Sequence, residues 1–160
     1  MSLPSRFLVI GLLILGGCAS PATSGGDRVV RIHPLQEPID RQAGGAVEIV
    51  SAEWTSGADI RSIVRDEVTE ALRRACVFVS EGAGGEVARY LVRIEMHRRE
   101  LSGSQSGDVE GAVSVLDRQR NLVTATFRLR IPTSGDDPRR AARDLGQTVA
   151  DVLSEPVTRD

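Results

Sequence analysis

Apolar and polar residues alternate along several stretches of this chain and recur with helical spacing along two others. Residues 28–33 alternate as a short strand, Pro34, Pro38 and the Gly44-Gly45 pair mark an irregular connection, and residues 46–54 read as a second strand. The strongest periodic signal follows. Ile60, Val64, Val68, Leu72, Cys76 and Val79 fall on one stripe, flanked by Ile63, Ala71 and Ala75, which predicts a helix from Asp59 that stops at the glycines of residues 82–85. Ser56 with Asp59 three residues on resembles a capping box, and Arg61, Arg65, Asp66, Glu70, Arg73 and Arg74 make a solvated opposite face.

Residues 89–101 then alternate cleanly. Tyr90, Val92, Ile94 and Met96 point to one side, Arg93, Glu95, His97 and Arg99 to the other. After a loop at 102–107, Val109, Val113 and Val115 face inward on a fourth strand. Residues 117–121 turn, and Val123, Ala125, Phe127, Leu129 and Ile131 face inward on a fifth, so the two runs form an antiparallel hairpin. Asp137 before Pro138 is a good N-cap and first-turn pair, opening a last helix with Ala142, Leu145, Val149, Val152 and Leu153 on one face and ending at Pro156.

Each strand is thus apolar on one face and each helix on one stripe. The economical packing is an α+β fold, a mainly antiparallel sheet of four to five strands with two helices on one face. The other face exposes Arg93, Glu95, His97, Arg99, Thr124, Thr126, Arg128 and Arg130. If the third and fifth strands lie near each other, Arg93, Arg99, Arg128 and Arg130 form a basic surface for an envelope protein partner or for anionic lipid.

The first residues have a different pattern. Arg6 precedes an apolar run at 7–15, of signal-peptide length and too short to span a bilayer. Leu15-Gly16-Gly17-Cys18 closes it, and the Cys18 thiol is the group there that can accept a diacylglyceryl chain. This resembles the bacterial lipoprotein signal. An ordinary secretory leader, cleaved among Gly17, Cys18, Ala19 and Ser20, is the alternative, and both export the protein. The resemblance implies a signal peptide at 1–17, removal of which leaves Cys18 lipidated and membrane-bound through its acyl chains. Ala19, in place of an aspartate, implies sorting to the periplasmic face of the outer membrane. Residues 18–27 are small, polar and Pro/Gly-bearing, a flexible tether, and residues 28–160 suffice for a single domain.

Composition narrows the function. Net charge is −2, so no global field recruits nucleic acid, and an aromatic content of 3% argues against stacking platforms. Every basic side chain is arginine, which excludes Schiff-base and phosphate-loop lysines. Lipidation of Cys18 leaves Cys76 without an intramolecular partner and excludes a disulfide framework; its place on the helical stripe makes it a small buried hydrophobe, with an intermolecular disulfide or a reactive thiol as the alternative.

Catalytic constellations fare poorly. His97-Arg98-Arg99-Glu100 lacks the second histidine of a zincin helix, and His33 and His97, the two histidines present, do not make a metal site. Gly103-Ser104-Gln105-Ser106-Gly107 places Gln where a nucleophile elbow needs serine. The glycines of 82–85 follow a helix and cap it rather than cradle phosphate. Glu95 beside His97 could act as an acid/base pair, but an open strand face leaves both solvated. No cofactor is called for.

The lipobox, the tether and the strand–helix–strands–helix order over residues 46–156 resemble small envelope lipoproteins that assist transport or assembly. These include the lipopolysaccharide-assembly lipoprotein that accompanies an outer-membrane barrel and the auxiliary lipoproteins of lipid-trafficking ABC systems. The resemblance implies a non-catalytic accessory role; the alternative is a small-ligand-binding or hydrolytic lipoprotein with a pocket between sheet and helices.

Overall fold

The alternating runs become strands and the periodic runs become helices in the computed structural model, which describes residues 29–54, 59–78, 88–100 and 106–157. In chain order the elements are β1 (Val29–His33), β2 (Gly45–Glu53), α1 (Arg61–Arg74), β3 (Tyr90–Glu100), β4 (Ser106–Asp117), β5 (Leu122–Ser134) and α2 (Pro138–Ser154). The strands form one sheet in the order β1-β5-β4-β3-β2. The β1/β5, β5/β4 and β4/β3 pairs are antiparallel; β2 runs parallel to β3, and α1 lies in the connection between them. The sheet is therefore mixed but mostly antiparallel.

Both helices lie on one face. α1 packs over β2, α2 over β4 and β5, and the helices pack against each other. Val64 and Val68 of α1 and Leu145 and Val149 of α2 meet Val92, Ile94 and Met96 of β3, Val109, Val113 and Val115 of β4 and Phe127 of β5 in one core cluster. None of these side chains is more than 1% exposed, so the space between the layers is filled. Gly146 lets the helices approach closely: a Cβ there would sit 3.0 Å from the Glu67 carbonyl oxygen and from the Val68 Cα. At one end of the sheet the Phe78 ring covers Gly45, where a Cβ would fall 2.3 Å from it, and stacks on Tyr90 at 5.8 Å.

α2 begins as its sequence predicts: Asp137 is the N-cap and its carboxylate accepts from the backbone N–H groups of Arg139 and Arg140. α1 departs from expectation at both ends. Its N-cap is Ile60, without a side-chain cap, while Asp59 instead accepts from the Arg61 N–H at 3.1 Å and from the Arg61 guanidinium. Ser56 and the glycines of 82–85 lie outside the described residues. The helix ends at Arg74, well before those glycines. Cys76 adopts φ 53°, its N–H donates to the Arg73 carbonyl, and the Val77 N–H donates back to the Leu72 carbonyl. These bonds form a Schellman closure, with buried Val77 and Leu72 as the accompanying apolar pair. Glycine usually marks such a closure in a sequence, and here a cysteine hides it.

Cys76 therefore does not lie on the helical stripe as a buried hydrophobe. It is half-buried and disulfide-bonded, which also corrects the expectation that it lacks a partner. The sequence holds one other cysteine, Cys18, outside the described residues.

Candidate functional site

The face of the sheet away from the helices carries the polar residues that alternate with the core positions of β3, β4 and β5. On β3 the alternation places Arg93, Glu95, His97 and Arg99 outward, because Tyr90, Val92, Ile94 and Met96 are held in the core. Register carries this face across the sheet. Arg93 lies beside Glu48 of β2 and Ser114 of β4, His97 beside Glu110, and Glu110 beside Arg130 of β5. Arg128 lies between Ala112 and Val30 of β1.

One inward expectation on β5 fails. The register shifts between Val115 and Leu116 of β4, so that Val115 pairs with Ala125 but Leu116 with Val123. Thr124 is the extra residue, its hydroxyl donating to the Val115 carbonyl at 3.1 Å. The bulge turns Val123 outward, leaving it 47% exposed instead of buried.

The arginines of β3 and β5 share the face but are separated by β4. Two strand spacings put them about 10 Å apart, with the acids of β4 between. Arg93 donates to Glu48 at 2.7 Å, Arg130 to Asp108 at 2.7 Å, and Arg99 lies 3.6 Å from Glu110. The Asp108 hydrogen bond holds the Arg130 guanidinium further above its ordinary value. Of the four arginines, only Arg128 makes no ion pair with another described residue. The result is a mosaic of opposite charges with a single uncommitted guanidinium. The Arg93–Glu48 and Arg99–Glu110 pairs are solvated and do little for stability, whereas Asp108 is poorly exposed and depends on Arg130 for its partner.

His97 meets Glu110 at 3.3 Å rather than forming a pair with Glu95. Its side chain is 53% exposed. Among the described residues, no cluster of three or more His, Cys, Asp or Glu could hold a metal ion. The recess nearest to a ligand site has a volume of ≈ 660 Å³ and lies at the β1 edge, between Arg31 and Leu35 on one side and Val152, Glu155 and Pro156 on the other, floored by Phe127. Arg31 and Glu155 form an ion pair across it. It is an open cleft at the edge of the two layers, with Ala125 and Phe127 of β5 on the sheet side and Val152 of α2 on the helix side.

Two polar clusters escaped the sequence reading, and both brace the ends of the sheet. At one end the Arg89 guanidinium donates to buried Asp117 at 3.0 Å and to Asp40 at 3.2 Å, while lying 5.0 Å from the Tyr90 ring centroid. At the other end Arg98 lies 4.8 Å from the Trp54 ring centroid and pairs with Asp136, which also accepts from the Trp54 indole N–H at 2.7 Å. The available signal was phase: Arg98 continues the inward series of Tyr90, Val92, Ile94 and Met96. No described helix is long and apolar enough to cross a membrane.

No protein-family model and no curated protein matches this chain. Solved structures do share its fold. The PelC dodecamer from Paraburkholderia phytofirmans matches with a TM-score of 0.59 at 14% identity, over 81% of this chain and 98% of that one. A point variant of the same dodecamer gives 0.59 at 15% identity, over 79% and 95%. A protein from Caulobacter crescentus, described as a candidate lipoprotein, matches with a TM-score of 0.41 at 18% identity, over 68% and 87%.

Proposed function

We propose that this chain is a non-catalytic accessory protein of the bacterial envelope, held at the periplasmic face of the outer membrane by acyl chains on Cys18 and docking a larger envelope complex through its open sheet face. The observation that carries the reading is the asymmetry of the layers. Two helices cover one side of the sheet, while no described element packs on the other side over strands of 11 to 13 residues. A sheet face that no described element covers is a surface available to a partner. The PelC neighbours, which are dodecamers, offer an example of this fold built into an assembly. The lipobox-like Leu15-Gly16-Gly17-Cys18 supports the anchor.

Crosslinking in the native envelope identifies the partner. Charge reversal at Arg93, Arg99 and Arg128 tests the face without disturbing Arg130, whose loss would strand the poorly exposed Asp108. Co-purification of the partner is expected to fall several-fold in the triple variant; undiminished co-purification removes the open face from the proposal.

A second reading, binding of a small apolar ligand, has the cleft floored by Phe127 in its favour. Its volume falls within the range of about 300–1,000 Å³ typical of ligand pockets. Saturable binding of a fluorescent fatty acid that Val152→Arg abolishes would support that reading over docking.

A further inference from the structure

The open face is arranged about β4, the middle strand of the five. Of the described charges that β3, β4 and β5 present there, Arg93, Arg99, Asp108, Glu110 and Arg130 are held in ion pairs, and His97 meets Glu110. Glu95 and Arg128 make no ion pair with another described residue. These two carry opposite charge and flank the same residue of β4, Ala112, one from each side. Nearer the turn between β4 and β5, the register builds an apolar row in the same way, with Leu91 of β3 and Val123 of β5 flanking Leu116 of β4. Leu91 alternates with the core residues Tyr90 and Val92, and Leu116 follows the core residue Val115, so both turn to the open side. Val123 joins them there through its bulge.

A face with apolar residues matched across its middle strand, and free charges of opposite sign across the same strand, is complementary to itself. Turning a second copy by 180° about an axis along β4, midway between the two faces, lays β5 of each copy over β3 of the other. Arg128 of each then meets Glu95 of the other, Leu91 meets Val123, and Leu116 meets its own copy, the reciprocal contacts that a two-fold interface requires. Opposed sheets pack about 10 Å apart, and the small side chains of Ala112 and Ser114 at the centre leave that gap to the long ones beside them. Aligned sheets cross at about 30°. The crossing carries β4 off its own copy away from the centre, so Asp108 and Glu110, each already bound to an arginine, do not stack on themselves. Area agrees as well. At about 3.3 Å per residue and 4.8 Å between strands, the five strands present a face on the order of 800 Å², and a stable interface takes about 800 Å² from each partner. We infer that the open face is a two-fold dimer interface occupied by a second copy of this chain, with Glu95 and Arg128 as its reciprocal charge pair and the Leu91–Leu116–Val123 row as its apolar contact. This rests on the reading of the open face as a docking surface and names what docks there.

Co-expression of the full chain with two different epitope tags in the native envelope gives the test. The two tagged copies are expected to co-purify under reducing conditions. Glu95→Arg or Arg128→Glu should each lower co-purification several-fold, because like charges then face one another across the two-fold axis. The double exchange, Glu95→Arg with Arg128→Glu, should restore most of it, since each pair is regained with its signs reversed. Neither side chain has an ion-pair partner among the described residues of its own chain, so the circular dichroism of all three variants should match that of the parent. Tags that do not co-purify, or a double exchange as weak as the single ones, overturn the inference. A photoreactive benzophenone side chain in place of Ser114 reports what lies on the face. A crosslink to β3, β4 or β5 of the differently tagged copy supports the dimer. A crosslink to another protein alone overturns it and leaves the docking surface standing, and no crosslink from this position overturns both.

Discussion

At the residue scale, Asp117 shows how a turn aspartate becomes a structural charge. Its side chain is 1% exposed, yet it accepts from the N–H groups of Gln119 and Arg120 and from the Arg89 guanidinium. Burial pushes its carboxyl up, but the Arg89 and backbone hydrogen bonds, with the Arg89 charge, outweigh that and hold it below its ordinary value. The sign follows by linkage: this contribution to stability is complete above the unfolded pKa of about 3.9 and is lost as pH falls through the lower folded value. Asp117→Asn should cost about 2 kcal/mol at neutral pH, the scale of a hydrogen bond to a charged group. Urea titrations of both proteins at neutral pH and near pH 3 check this, and the deficit should shrink in acid. A constant deficit would mean that the carboxylate charge contributes nothing. The sequence showed Asp117 as the opening of a turn, but its bond to Arg89 across the sheet end depends on the β3/β4 register.

At the element scale, the crossing of α1 and α2 is set by Gly146. Alanine is usually favoured over glycine inside a helix by about 1 kcal/mol. Here the added Cβ meets the Glu67 carbonyl and the Val68 Cα at 3.0 Å, and backbone atoms cannot rotate away as a side-chain tip can. Gly146→Ala should therefore destabilise by about 1–3 kcal/mol, the usual cost of overpacking. A urea midpoint that rises instead would show that the helices separate without penalty. The apolar stripe of α2 was legible because a period of 3.6 needs only sequence, and so was its Asp137-Pro138 start, a local cap. The end of α1 was not: Cys76 adopts the left-handed turn that glycine usually announces. Val123 likewise kept its phase in the sequence and lost it to a bulge, which depends on where β4 lies.

At the scale of the whole molecule, the anchor and the fold meet in the chain's two cysteines. A sulfur in a thioether to diacylglycerol cannot also join a disulfide, so acylation of Cys18 and a Cys18–Cys76 bridge are exclusive in one molecule. If the anchor reading holds, chain isolated from membranes incorporates palmitate and offers its thiol at Cys76 to maleimide after reduction. Cys18→Ser should abolish palmitate labelling and move the protein out of the membrane fraction. Persistent labelling in that variant would end the anchor proposal.

The alternation of the strands, the periods of the helices and therefore the α+β class were determined by the sequence itself, because inward and outward faces are local properties of a strand or helix. Which charges meet was decided only by the tertiary structure. Arg93, Arg99, Arg128 and Arg130 do share one face, but the order β5-β4-β3 places the acids of β4 between their strands. A surface that reads as basic along the chain is thereby a mosaic with Arg128 left uncommitted beside Val30. Strand order and register bring together residues far apart in sequence, and ion pairing depends on distance in space.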